Sequence, residues 1–374
     1  MPKTRLFEPI TLRGVEIPNR ITVAPMCQYT AQDGIAGNWH LVHLGQFAIG
    51  GPGLVFVEAT GVEPEGRITP GCTGLWSDAH EEAFRPIIQF FRDYGAAKIG
   101  MQLAHAGRKA SVDVPWVGGA PLKDDRAWQT VGPSALPYAD GWHTPMEMGD
   151  NALKRVRDAF VAGAERCVRL GFDVVEVHSA HGYLLHQFLS PISNQRDDAY
   201  GGSLENRMRF PLEVFEAVRG VWPDDKPLGV RFSATDWVEG SGWGLEEAIE
   251  YTKALHERGC DFVDVSSGGN SPEQAIKVGP GYQSGFAAAV KRDVPDITVM
   301  AVGKITDPYQ AEHILHSGQA DMVALARGIT FNTHWAWNAA HALGDERAAF
   351  PPQYARSHPA LQGLPIPGNP PPAK

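Results

Sequence analysis

The chain has 374 residues, 43% of them hydrophobic and 20% charged, with a formal net charge of -10. No apolar run reaches the about 18 residues that suggest a membrane helix, and the N-terminus lacks the apolar stretch of a signal peptide. The acidic balance, with no basic run, argues against nucleic acid as the main partner. Cys27, Cys72, Cys167 and Cys260 stand dozens of residues apart with no C-x-x-C pair, so neither a zinc knuckle nor an iron–sulfur cluster is indicated. The expectation is a cytoplasmic protein that acts on a small molecule, with no membrane partner.

In chain order, residues 6–20 read as a β-hairpin, ITL and VEI flanking Arg13-Gly14. Strands are expected at 21–25, 54–59, 98–103, 173–177, 228–232, 261–265, 298–302 and 321–325. Helices are expected at 38–49, 78–94, 150–170, 204–221, 244–257, 282–292, 307–316 and 332–342, with Ser203 as an N-cap. Strands apolar throughout and alternating with helices predict an α/β fold, a closed (β/α)8 barrel of the TIM type. An open doubly wound sheet would want a G-x-G-x-x-G turn after an early strand, and none stands there. Residues 107–145, rich in Pro, Gly and Trp, are too long for an ordinary loop and predict an excursion over one face after the third strand. Residues 351–374 are Pro-rich and predict an extended, non-helical arm.

A barrel collects its chemistry at the C-terminal ends of its strands. The segment DVVEVHSAHGYLLHQFLSPISNQRDDAYGGSLENR, residues 173–207, begins as a buried strand and then presents His178, His181 and Tyr183 just past it. The two histidines suit metal ligands, donors to a substrate oxygen, or satisfied buried imidazoles. A metal would lack a third ligand, since only His186 and Glu176 are near and Glu176 would sit inside the barrel. Tyr183 suits a general acid or a packed ring. Gly303-Lys304 and Ala326-Arg327 follow the last two strands and match the usual phosphate site of such barrels; the alternative is that Arg327 caps the barrel and pairs with a carboxylate. Arg231, at the end of the fifth strand, needs an anionic partner or a ligand. Cys27 is either a small buried hydrophobe or a group that tunes a redox cofactor.

On these residues the chain resembles the old yellow enzyme family of FMN-dependent ene-reductases, most closely its bacterial YqjM-like and xenobiotic-reductase-like branch. The long motif above is matched by APMCQYTA, GRITPGCTGLWSD, QLAHAGRKA, DFVDVSSG, AVGKITDPYQAE and ADMVALARG, so the resemblance spans residues 6–356. It implies one FMN-binding barrel domain over residues 1–350 and a C-terminal arm over 351–374. It implies non-covalent FMN across the barrel mouth, reduced by NADPH or NADH. Pro25, Met26 and Cys27 would line the ring, Ala59 and Gln102 would meet its polar edge, and Arg231 would stand by the atoms that gain negative charge. Ser267, Gly303, Lys304, Ala326 and Arg327 would surround the ribityl chain and phosphate; the family's usual glycine before that arginine is Ala326 here.

The resemblance further implies that His178 and His181 bind a carbonyl or nitro oxygen and that Tyr183 protonates the substrate. Tyr29 would close the pocket, and Arg356 would reach a neighbouring subunit's site in a homodimer or homotetramer. The implied reactions are reduction of activated C=C bonds and of nitro compounds, nitrate esters or heteroaromatic xenobiotics. A flavin barrel with an iron–sulfur cluster and a second nucleotide-binding domain, and a metal-dependent hydrolase or lyase built on the histidine pair, are the competing readings.

Overall fold

The computed structural model describes residues 4–357. Strands β1 (Ile10–Leu12) and β2 (Val15–Ile17) form the expected antiparallel hairpin, with Arg13 at φ 50 in its turn. Next come β3 (Ile21–Val23), β4 (Leu54–Gly61) and β5 (Lys98–Ala104). The excursion carries only the two-residue strands β6 (Val131–Gly132) and β7 (Met146–Glu147) and short 3-10 turns. The remaining strands are β8 (Val174–Ser179), β9 (Leu228–Ser233), β10 (Phe262–Ser266), β11 (Thr298–Val302) and β12 (Met322–Leu325). Eight of them close a parallel barrel in the order β3-β4-β5-β8-β9-β10-β11-β12, with β12 returning to β3.

Helices α1 (Asn38–Ala48), α2 (Asp78–Tyr94) and α3 (Asp150–Leu170) follow in turn. In α3 the buried residues Leu153, Val156, Phe160, Ala164 and Cys167 recur every three or four positions, which turns one face to the barrel. Gly171 then ends the helix at φ 82. Beyond it come α4 (Leu184–Leu189), α5 (Leu204–Arg219), α6 (Leu245–Glu257) and α7 (Ser284–Asp293). The chain finishes with α8 (Pro308–His316), α9 (Arg327–Phe331) and α10 (Trp335–Leu343). Ser203 caps α5, its hydroxyl accepting from Asn206 N–H.

Several expectations are corrected. His178 belongs to β8 rather than following it, and Arg231 lies two residues before the end of β9. Helices α4 and α9 were not expected. The first residues of the Pro-rich arm, Pro352–Ser357, form a 3-10 turn; three residues per turn with few internal hydrogen bonds accommodate the prolines at its start. The rest of the arm, 358–374, lies outside the described residues. No helix among the described residues is long and apolar enough to cross a membrane.

Inward side chains alternate along each strand, so each position i, i+2, i+4 climbs the barrel axis. At the bottom, Leu54, Phe56, Val174, Phe262, Met300 and Met322 form one apolar cluster with Leu12 and Ile17 of the hairpin, which plugs the barrel. Gly229 makes room there: a Cβ on it would lie 2.3 Å from the Phe262 ring. One step up the same strands stand Glu176, Arg231 and Asp264, and one further His178, Ser233 and Ser266. On the opposite side Ala24, Val302 and Ala324 form a small-residue cluster with Ala326 against it. The mouth is therefore polar on one half and lined by small apolar side chains on the other.

Candidate active site

The pivot is the turn after β8. His181 takes φ 58 and Gly182 φ 72, both left-handed. A Cβ on Gly182 would fall 2.3 Å from the Gly269 carbonyl oxygen, so only glycine lets this turn rest on the loop after β10. Two side chains fix it from below. His186 Nδ1 accepts from Gly182 N–H at 2.9 Å, and its other nitrogen lies 3.0 Å from Asp236 Oδ1. The result brings His178, His181 and Tyr183 together: the His178 ring is 5.3 Å from the His181 ring and 5.0 Å from the Tyr183 ring, edge to face in both cases.

Protonation follows from these contacts. His178 Nδ1 accepts from Ala180 N–H at 3.1 Å, so in the neutral ring the proton sits on Nε2, for which no described residue supplies an acceptor. Burial and then the Arg231 charge hold both histidines well below the usual imidazole range, so both are neutral at pH 7. His181 Nε2 pairs with Ser266 Oγ at 2.8 Å. Burial raises the Tyr183 phenol well above its ordinary value, so Tyr183 keeps its proton until a reacting group takes it.

Lys109 was not singled out from the sequence, although it stands in the quoted AHAGRKA. Its ammonium donates to the carbonyls of His181 at 2.8 Å and Gly269 at 2.7 Å, and lies 5.2 Å from the centre of the Tyr183 ring. Burial, and then neighbouring Arg108, bring it down to about 7. Its signal in the sequence is the basic pair Arg108-Lys109 just past the end of the third barrel strand.

Across the mouth, Pro25, Met26, Cys27 and Tyr29 follow β3, all partly accessible. Tyr29 packs edge-on against Trp116 of the excursion at 5.7 Å. The Met26 sulfur accepts from Thr330 Oγ1 at 3.1 Å, joining the loops after β3 and β12. The Cys27 thiol is held well above its usual range by its interaction with Cys72, by burial and by Glu58, so it is a thiol and not a thiolate; Ala59 N–H donates to it. Ala59 reaches this position through a bulge in β4, where the register steps from Val57↔Met101 to Ala59↔Gln102 and Glu58 is the extra residue. Glu58 instead accepts from Gln28 N–H at 3.0 Å and lies 3.1 Å from His40.

Arg231 pairs with Asp264, Nε to Oδ2 3.1 Å, so the structural partner weighed for it exists. Tyr282 lies within the fields of both Arg231 and Arg327. Lys304 and Arg327 are exposed on the rim, with Gly303 buried between β11 and Lys304 and Ala326 leading into Arg327. The Ser267 hydroxyl is engaged: it donates to Gln283 Oε1 at 2.5 Å and accepts from Trp237 Nε1 at 2.8 Å. Gln283, also missed, donates to the Val302 carbonyl at 3.1 Å, and a Cβ on Gly303 would lie 3.1 Å from it. Arg356 is exposed on the terminal 3-10 turn.

A flavin suits these residues. Neutral donors, a proton-bearing phenol, a buried guanidinium and two rim cations surround an apolar floor of Ala24, Val302 and Ala324. Among the described residues no group of three or more His, Cys, Asp or Glu side chains is placed to hold a metal ion.

Comparison with known proteins agrees. The family model described as "NADH:flavin oxidoreductase / NADH oxidase family" matches residues 5–346. The chain is 45% identical over 344 residues to the NADPH dehydrogenase of Geobacillus sp. (strain WCH70), covering 91% of this chain and 95% of that protein. It superposes on morphinone reductase with a TM-score of 0.77 at 27% identity, covering 92% of this chain and 90% of that one. For the old yellow enzyme homologue from Zymomonas mobilis the TM-score is 0.71 at 26% identity, with 88% and 89% covered. The chain belongs to the NADH:flavin oxidoreductase family of old yellow enzymes, and it is an oxidoreductase of the NADPH dehydrogenase type.

Proposed function

We propose that the protein binds FMN non-covalently across the barrel mouth and uses NADPH, or NADH, to reduce activated C=C bonds in α,β-unsaturated carbonyl or nitro compounds. The observation that carries this reading is the pairing of neutral His178, its Nε2–H directed to no acceptor among the described residues, with a protonated Tyr183 whose ring is 5.0 Å away. When bound, FMN would supply the hydride that the substrate's β-carbon accepts. The chain's part is binding, polarisation and proton delivery.

His178 and His181 hydrogen-bond the substrate's carbonyl or nitro oxygen and draw electron density from the β-carbon. Because both are neutral, they donate without contributing a full charge, and neither competes with Tyr183 as a proton source. Tyr183 delivers its proton to the α-carbon. Arg231 would fix positive charge where a bound flavin gains negative charge, and Cys27 would tune that ring. Pro25, Met26, Ala59 and Gln102 would line the ring, while Ser267, Gly303, Lys304, Ala326 and Arg327 would surround the ribityl chain and phosphate, Ser267 through its backbone because its hydroxyl is engaged. Tyr29 shapes the substrate side. Nitro compounds, nitrate esters and heteroaromatic xenobiotics present similar oxygens or nitrogens to the histidine pair and are further substrates. The assembly is a cytoplasmic homo-oligomer in which Arg356 borders a neighbouring pocket.

The test is a pair of variants. His178→Ala and His181→Ala retain FMN but bind phenols weakly and reduce 2-cyclohexenone slowly, with the NADPH half-reaction intact. Unchanged phenol affinity in both variants contradicts the assignment.

A further inference from the structure

Directly beneath the mouth the barrel interior holds more acid than base. Glu176 of β8 and Asp264 of β10 are 0% and 1% exposed. Arg231 of β9 is the cation between them, and its ion pair is with Asp264 at 3.1 Å. Glu176 has one hydrogen bond, from Gln102 Nε2 to Oε1 at 2.7 Å. Its Oε2 has no hydrogen-bond partner among the described residues, and neither has Asp264 Oδ1.

Two buried carboxylates around one guanidinium leave one charge uncompensated. An uncompensated buried carboxylate takes a proton rather than remain ionised. The geometry says which one. Asp264 is against the guanidinium, whereas Glu176 is against a neutral amide, so Glu176 is the protonated member. The facing groups are Gln102 from β5, Arg231 from β9, Asp264 from β10 and, on its own strand, the neutral His178. Burial and then the Asp264 charge push the Glu176 carboxyl up to about 8, with Arg231 opposing.

We propose that Glu176 is a proton store beneath the cofactor: it holds its proton at neutral pH, and in alkaline solution, where it is ionised, the arrival of electrons from NADPH at the mouth makes it take up a proton from solvent. This rests on the flavin reading above. Negative charge arriving over Arg231 weakens what that guanidinium offers to the carboxylates below, so an ionised Glu176 becomes more basic and binds a proton. The balance is simple. The hydride comes from NADPH, the proton from water, and the one bond formed on the protein is O–H at the Glu176 carboxylate, whose Oε2 is the unpartnered oxygen. Glu176 is thus a positioning residue for charge, acting through Arg231 on the cofactor rather than touching substrate.

Two measurements test it. In the flavin-free protein, an infrared titration from pH 6 to 10 shows a buried carboxylic acid band that disappears near pH 8, is absent in Glu176→Gln, and shifts to lower pH in Asp264→Asn. In the FMN-bound protein, the reduction potential of the wild type falls more steeply with pH above about 8. The extra slope is one proton per two electrons, a tenfold change in equilibrium per pH unit or about 30 mV, and Glu176→Gln lacks it. A band that survives in Glu176→Gln, or a wild-type potential with no added slope up to pH 10, overturns the proposal; so does a steepening that persists in Glu176→Gln. Failure to bind FMN would instead remove the flavin reading, leaving the infrared titration to decide where the proton sits.

Discussion

The bottom and the mouth of the barrel are built on the same strands and obey opposite rules. Along β10, Phe262 packs in the apolar plug, Asp264 two residues on is a buried charge, and Ser266 two beyond that holds His181. Along β8 the same climb runs Val174, Glu176, His178. The lower tier gains stability from burial of apolar area. The upper tiers bury groups that cost free energy unless each finds a partner, and several polar atoms there have none among the described residues. A fold stabilised from below can hold a reactive constellation above, which is why the hairpin plug matters to a site it never touches.

The largest expected effect separates the two ends by chemistry. Tyr183→Phe should slow reoxidation of the bound flavin by an enone by about 10²–10⁴-fold, the usual worth of a positioned proton donor. Stopped-flow measurement of the NADPH half-reaction should find it unaltered; equal losses in both halves would return Tyr183 to a packing role. Phe262→Ala should do the reverse, lowering unfolding stability by about 3–5 kcal/mol while leaving rates per folded molecule near wild type. Denaturant unfolding with parallel activity assays checks this, and a large loss of turnover at full stability would mean the plug shapes the mouth directly.

A smaller effect is pH-dependent. The folded Glu176 carboxyl is raised from an ordinary value of 4.5 to about 8. The folded state therefore binds the proton more tightly than the unfolded chain, so the contribution is complete below about pH 4.5 and is lost as pH rises through 8. Thermal midpoints should fall between pH 6 and pH 9 in the wild type and fall less in Glu176→Gln; equal falls would place the titration elsewhere. The smallest effect concerns Ser266. Its 2.8 Å contact orients His181, and Ser266→Ala should weaken phenol binding by roughly the 0.5–1.5 kcal/mol of one net hydrogen bond. Titration of the flavin absorbance with a phenol reads it directly.

Much of this was legible from residues alone. Helices at 78–94 and 150–170 are read to the residue because their apolar positions keep a helical period beside a charged face. Helix α4 was missed because its six residues are all buried, so no polar face marks a period. Helix α9 is too short for a period at all. The β4 bulge that turns Glu58 to His40 and Ala59 to the mouth leaves no mark in LVFVEATG. Likewise Arg231 announced its need for an anion, but Asp264 looked like an ordinary strand residue until β9 and β10 were laid side by side. Strand ends point to the site; the partners across the barrel emerge only from register.

The central claim is that the mouth is a flavin site working on electron-poor alkenes. The most direct measurement is an absorption spectrum of the purified protein, followed by anaerobic NADPH and then 2-cyclohexenone. The account predicts flavin bands that bleach with NADPH and return with the enone. A folded protein that shows no flavin and takes up no added FMN would contradict it.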